Sequence, residues 1–498
     1  MKNVMPDLGL LIAPADREQT LAFLEKVQAK LNLSRKHTEL LLQDHLAAIA
    51  YYLHHENLSL TDAIARLDPA QLGDFYFKER TDWYPLDHAA KIYPLSMSQK
   101  RMMVFRVSGY LHENVVPEIM QMALTYTMKR FPCFATTIKS GFFWHYLDSA
   151  MRRFVLKPEV KLPCSVMRVN EGASPALRVV YFENRVSVEF CHLLADGTGA
   201  YIFLRTLLRE YLRLLGHDIP TAPGVLDTSS TPNPEEWQDS FTIGDRAESA
   251  HGFAGKRAIQ LRGMTAYEQP SRILHYNLPV DQLRAKAKSK GVTVTALLLA
   301  YVMLACKEAA TPENGRPHFG KRKIQIQLPV NMRKYYPSET LRNFAMYCSI
   351  ALHPDEITTV DDMLPSITAQ LGEGGSKERL DETMHLTRRL VRLLRFVPLM
   401  LKRPIAYLVY GTLSDTVFTT TFTNLGVLQL PPEMSPFVDK FDAIQGPPIL
   451  NRATCAMCSF ENKAVLTITK NTTLTLFEDA LYRLLMEDGF TPYMEGSC

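Results

Sequence analysis

The chain has 498 residues, 46% hydrophobic and 22% charged, with 56 Lys and Arg against 52 Asp and Glu for a net charge of +4. These are globular proportions, the charge balance argues against a dedicated nucleic-acid binder, and eight cysteines are too few for a disulfide scaffold. No uninterrupted apolar run reaches the ~18 residues of a membrane span. The apolar stretch 8–15, flanked by Asp7 and Asp16, makes a poor signal peptide. A cytoplasmic, reduced protein is expected, with length for about three folding units.

Residues 1–80 read as a helical extension. Leu21, Leu24, Val27 and Leu31 fall at spacings of three and four, on one helix face. Ser34 is the expected cap of a second helix that runs to residue 53, and Ser59 with Asp62 signals a third. Three small helices admit a DNA-reading helix-turn-helix. Asp44, Glu56, Asp62 and Asp68 offset the basic residues, so packing against the main body is the favoured reading.

Residues 84–225 form the expected first lobe. They read as a strand at 101–107, a helix at 116–130, a strand entered from 131–139, and a hairpin at 176–190 that turns at Glu183-Asn184. The segment from Cys191 through His192, Asp196 and Gly197 to Gly199 follows directly. A helix is expected from about residue 200 to 215, capped by Thr198 and ended by Gly216. Residues 226–270, with Pro232, Pro234 and clustered Ser and Thr, read as an inter-lobe linker.

Residues 271–498 form the expected second lobe. A helix is read at 278–290, residues 292–295 lead into an apolar helix to Cys306, and a strand at 323–328 runs into Pro329-Val330-Asn331-Met332-Arg333. An arginine-rich helix is read over 378–413, strands at 417–421, 455–460 and 464–469, and a closing helix at 474–487. Both halves are strands with covering helices, which gives a mixed α/β fold of two lobes.

Of the fourteen histidines, only His192 has Asp four residues later with Gly directly after it. Chance supplies such a match roughly 0.04 times in a chain of this composition. It lies between a strand end and a helix start, where side chains converge on clefts. A free histidine, with a pKa of about 6.5, is mostly neutral at pH 7 and can take a proton from an attacking hydroxyl, amine or thiol. Asp196 either orients that imidazole or holds the loop by pairing with an arginine. The plain alternative is a structural histidine on a βα loop.

The segment Phe190-Cys191-His192-Leu193-Leu194-Ala195-Asp196-Gly197 resembles the His-His-x-x-x-Asp-Gly motif of the chloramphenicol acetyltransferase-like superfamily. Its members include condensation domains, polyketide-associated acyltransferases and alcohol acetyltransferases. Further segments agree, in the family's order over about residues 84–498. They are Tyr93-Pro94-Leu95-Ser96-Met97-Ser98-Gln99, the run from Gly291 to Leu297, Pro329 to Arg333 followed by Leu341-Arg342-Asn343, and Thr423-Asn424-Leu425-Gly426. The resemblance implies two similar lobes with a central tunnel and His192 as general base. It further implies Asp196 and Gly197 as structural support of the site, and Arg333 as the second-lobe partner of Asp196. The first motif histidine is replaced by Cys191, the plant-type Asp-Phe-Gly-Trp-Gly segment is absent, and residues 1–80 match nothing in the family.

The expected activity is transfer of an acyl group from acyl-CoA, as co-substrate, to a small alcohol or amine, by a monomer without metal or resident cofactor. A backbone N–H near Gly197 or the Asn424 side chain is the expected oxyanion donor. The alternatives are a condensation-type enzyme fed by a carrier protein and a catalytically silent binding protein. Cys455 and Cys458 read as strand packing rather than zinc ligands, and Cys191 as a poor nucleophile. Gly372, Gly374 and Gly375 read as a turn, not a phosphate loop. The stretch from Arg388 to Arg403 reads as a helix covering the second lobe with snorkelling arginines, with contact to an anionic membrane surface or a greasy acyl chain as the alternative.

Overall fold

The computed structural model describes residues 4–92, 104–167, 175–243, 257–266, 272–312, 319–402, 404, 416–446 and 451–497. The Tyr93–Gln99 motif and Arg403 lie outside these residues.

Helices α1 (Val4–Leu11), α2 (Arg17–Lys30), α3 (Arg35–His54), α4 (Leu60–Arg66) and α5 (Gly73–Phe77) open the chain. A short amphipathic helix cannot bury its apolar stripe alone. Leu24 and Val27 of α2, and Leu41, Leu46 and Ile49 of α3, therefore join one hydrophobic core with the lobe that follows. The Tyr52 hydroxyl donates to the Leu214 carbonyl at 2.9 Å, and the Tyr76 hydroxyl to that of Thr125 at 3.0 Å. Ser59 accepts the Asp62 N–H and caps α4. Ser34 stands at the start of α3 without a side-chain cap bond.

The next segment supplies β1 (Trp83–Pro85), β2 (Val104–Leu111), α6 (Pro117–Arg130), β3 (Thr136–Ser140), β4 (His145–Ser149), β5 (Leu156–Pro158), β6 (Leu177–Phe182), β7 (Arg185–Cys191) and α7 (Gly197–Leu214). The hairpin β6–β7 closes at Phe182 opposite Arg185, with Glu183 at φ +50° in the turn. The α7 helix begins earlier than expected, and its cap is Asp196, not Thr198. The Asp196 carboxylate accepts the Gly199 N–H at 3.1 Å. A charged acceptor is favoured there because the helix N-terminus carries partial positive charge.

The remaining elements are β8 (Arg272–Pro279), α8 (Val280–Ser289), α9 (Val294–Ala310), β9 (Ile324–Asn331), β10 (Ala345–Leu352), α10 (Val360–Gly374), α11 (Lys377–Leu393), β11 (Thr420–Leu428), β12 (Val438–Gln445), β13 (Ala453–Phe460), β14 (Lys463–Lys470), α12 (Leu476–Glu487) and β15 (Tyr493–Ser497). Several differ from expectation. Residues 278–279 end strand β8, whose Ile273, Leu274 and Tyr276 are buried between β14 and β15. The arginine-rich helix stops at Leu393, not near 413; Leu394 caps it, and residues 405–413 lie outside those described. Gly372 and Gly374 belong to the end of helix α10, with Gly375 as its cap, rather than to a separate turn.

The second sheet has seven strands in the order β10-β9-β11-β13-β14-β8-β15. The first has five, in the order β12-β2-β7-β6-β5. Strand β12 thus crosses from the second half of the chain and pairs antiparallel with β2, Phe441 facing Gly109. Each sheet packs its own core against its helices. Among the described residues no single helix is long and apolar enough to cross a membrane.

Candidate active site

Strand β7 delivers the motif. Its last residue, Cys191, pairs with Val104, and His192 follows as the chain leaves the sheet for α7. The His192 ring is half-buried and lies 4.9 Å from the Phe105 ring, centroid to centroid. It is therefore not sealed in the core. Its Nδ1 lies 3.2 Å from Asn343 Oδ1. The Asn343 amide nitrogen donates to Asp87 Oδ2 at 3.3 Å, and this assigns the orientation of the amide. The oxygen facing His192 can only accept, so Nδ1 carries the proton and Nε2 is the basic nitrogen.

The anchor behind Asn343 is buried. Asp87 is fully inaccessible; its other oxygen accepts the Ala90 N–H at 2.7 Å, and Arg342 Nη2 lies 3.7 Å away. Burial pushes the Asp87 carboxyl above the usual range, against the pull of Arg342. His192, Asn343 and Asp87 thus form a chain that draws on both halves of the sequence.

Asp196 lies beneath the loop. Arg333 Nη1 donates to its Oδ2 at 2.7 Å, and the Phe344 N–H donates to the same oxygen at 2.9 Å. Arg333 also donates to the carbonyls of Thr340 and Arg342, at 2.7 and 2.8 Å. The carboxylate therefore caps α7 and ties the second lobe's 331–344 segment to the motif. Two glycines let the surfaces meet. A Cβ on Gly199 would lie 1.9 Å from the Leu341 carbonyl oxygen, and one on Gly197 would lie 2.5 Å from Leu425 Cδ2. Leu425 sits in a bulge between Asn424 and Val427, where β11 pairs with β13. The Asn424 amide shapes that bulge: it donates to the Thr295 hydroxyl and accepts the Gly426 N–H, each at 2.9 Å.

Neither a protein-family model nor a curated protein matches the chain. Solved structures do. The TRI3 trichothecene 15-O-acetyltransferase from Fusarium sporotrichioides aligns over 81% of this chain and 94% of its own, with a TM-score of 0.53 at 11% identity. The polyketide synthase associated protein 5 from Mycobacterium tuberculosis aligns over 81% and 97%, with a TM-score of 0.51 at 12% identity. The epimerization domain from the third module of tyrocidine synthetase B aligns over 82% and 96%, with a TM-score of 0.52 at 12% identity. The chain has the two-lobed, condensation-type fold of chloramphenicol acetyltransferase-like proteins.

On this fold, two of the site's residues were not singled out in the sequence. Asn343 stands within a quoted segment, but its role needed its contact with His192. Asp87 carries no signal, because it meets Asn343 only through the tertiary fold. Cys191 is fully buried, and burial pushes its thiol up to about 12, so it is protonated at neutral pH and a poor nucleophile. Cys455 and Cys458 are buried in β13, and no group of three or more potential metal ligands occurs among the described residues.

Proposed function

We propose that the protein is an acyltransferase that moves an acyl group from a CoA thioester to an alcohol or amine, with His192 as general base. The supporting observation is the half-buried ring at the lobe junction, held with Nε2 as its basic nitrogen by Asn343 of the other lobe. Nε2 takes the proton of the acceptor hydroxyl while the oxygen attacks the thioester carbon. The C–S bond of the tetrahedral adduct then breaks, and the imidazolium returns its proton to the departing thiolate. The oxyanion is held by the Gly197 N–H at the start of α7 or by Asn424. Asp196 and Arg333 support the loop and touch no reactant. No acyl-enzyme is required, which accords with the protonated Cys191.

The test compares wild type with His192→Ala in a thiol-release assay across acyl-CoA chain lengths, with alcohol and amine acceptors. The variant is expected to lose about 10²–10⁴ in rate while its melting temperature is kept. Equal rates would remove His192 as the base. Activity only with an acyl carrier protein would replace the CoA donor by a condensation-type one, and binding of an acyl compound without turnover would make the protein a silent binder.

A further inference from the structure

The tip of the β3–β4 hairpin and the chain after α11 build one face. Phe142 is 72% exposed, Leu393 71%, Phe396 70% and Met400 78%. These residues belong to segments that hold each other. The Leu399 N–H donates to the Phe142 carbonyl at 2.9 Å, and Lys402 Nζ donates to that of Phe143 at 2.7 Å. The Phe143 and Phe396 rings meet edge to face, 6.3 Å between centroids. Singly exposed apolar side chains are ordinary on a protein surface, whereas a contiguous group of them marks an interaction site.

Positive charge lies directly beside this group. A cleft of about 370 Å³ is lined by His88, Lys91, Trp144, Arg388, Arg392 and Arg395, among others. Lys402 stands 3.2 Å from the centroid of the Trp144 ring that lines it. Asp239 bonds to His88 at 2.6 Å and its charge also acts on Lys91. Among the described residues no carboxylate lies within 4.0 Å of Arg388, Arg392 or Arg395. Helix α11 turns Leu380, Met384 and Val391 into the protein, so Leu390, Leu393 and Arg392 are left outward, with Arg395 exposed just beyond it, while half-buried Arg388 donates to the Ile243 carbonyl at 2.8 Å. This is an apolar ridge bordered by arginines without a paired carboxylate, and its complement is a surface with acyl chains below a layer of phosphate.

We propose that this face docks the protein on an anionic lipid bilayer. Phe142, Phe143, Leu393, Phe396 and Met400 enter the headgroup–acyl boundary, and the arginines and Lys91 take lipid phosphates. The cleft is one step from the candidate active site, since His88 follows the Asp87 that anchors Asn343. The docking is independent of the acyl-transfer reading and stands or falls without it.

The experiment is vesicle flotation of the full chain. The vesicles are pure phosphatidylcholine or phosphatidylcholine mixed with phosphatidylglycerol. Binding is expected to the mixed vesicles, to weaken as salt rises, and to be far lower on phosphatidylcholine alone. Arg388→Gln/Arg392→Gln/Arg395→Gln is expected to lose about fivefold in partitioning per arginine. Phe142→Ser/Phe396→Ser is expected to lose binding to both vesicles, with a nearly unchanged melting temperature because both rings are largely in solvent. Failure to float with the mixed vesicles, or equal flotation of wild type and both variants, overturns the proposal. So does reversible self-association in place of flotation, abolished by Phe142→Ser/Phe396→Ser, which would make the face a protein interface.

Discussion

Replacing Asp196 tests the junction of the lobes most directly. Its side chain is 6% exposed and that of its partner Arg333 13%, and the carboxylate receives three donors from the two halves of the chain. Asp196→Ala leaves the guanidinium largely buried without its counter-charge, a loss of about 3–5 kcal/mol. It also removes the cap of α7, worth about 1 kcal/mol. The total of about 4–6 kcal/mol is comparable with the whole stability of an ordinary domain. The variant should therefore unfold at a much lower urea concentration, followed by far-ultraviolet circular dichroism and tryptophan fluorescence together. Asp196→Asn, which keeps a capping oxygen, should lose less. The diagnostic variant is Asp196→Ala/Arg333→Met, because removing the stranded charge should recover part of the loss. If Asp196→Ala stays within ~1 kcal/mol of wild type, or the double variant is the sum of the singles to within ~0.5 kcal/mol, the pair does not hold the junction.

Gly199→Ala should destabilise by about 1–3 kcal/mol or more, because its Cβ would overlap the Leu341 carbonyl; an unchanged thermal melt would show that the backbones do not approach there. Asn343→Leu removes the acceptor that sets the His192 tautomer and should lower kcat about 10–100-fold with little change in KM, whereas a purely structural role would lower stability and leave kcat of the folded fraction intact. His45 is buried, with Nδ1 bonded to the Leu41 carbonyl, and burial holds its pKa down at about 4. In the unfolded chain the ring titrates near 6.5, so its stabilising contribution is complete above that pH and is lost as pH falls toward 4. About 2 kcal/mol should be gone by pH 5. His45→Phe should flatten that part of the pH dependence of the urea midpoint, and an identical profile would refute the assignment.

The motif and its flanking elements were legible because they are local. The β6–β7 hairpin alternates and turns within the expected residues, and α7 has Gly216 just beyond its end, at φ +93°. Arg333 was legible only through its segment's likeness to a known family, since Asp196 lies 137 residues away. Errors gathered where packing outweighs propensity. Residues 272–279 form a strand because partners lie on both sides, and residues 394–398 break the helix, which resumes at 399–402, although their composition permits a continuous one.

Alternation, helical spacing and the short His192–Gly199 signature depend on neighbours along the backbone, so they specified the elements, the mixed two-lobed class and the position of the imidazole. Strand β12 completing the first sheet, Asn343 turning that imidazole, Asp87 behind it and the basic, apolar face outside all join positions far apart in the chain. Such contacts carry no local periodicity. They form only when burial of two separate cores brings the segments together, and so they were decided by the folded molecule.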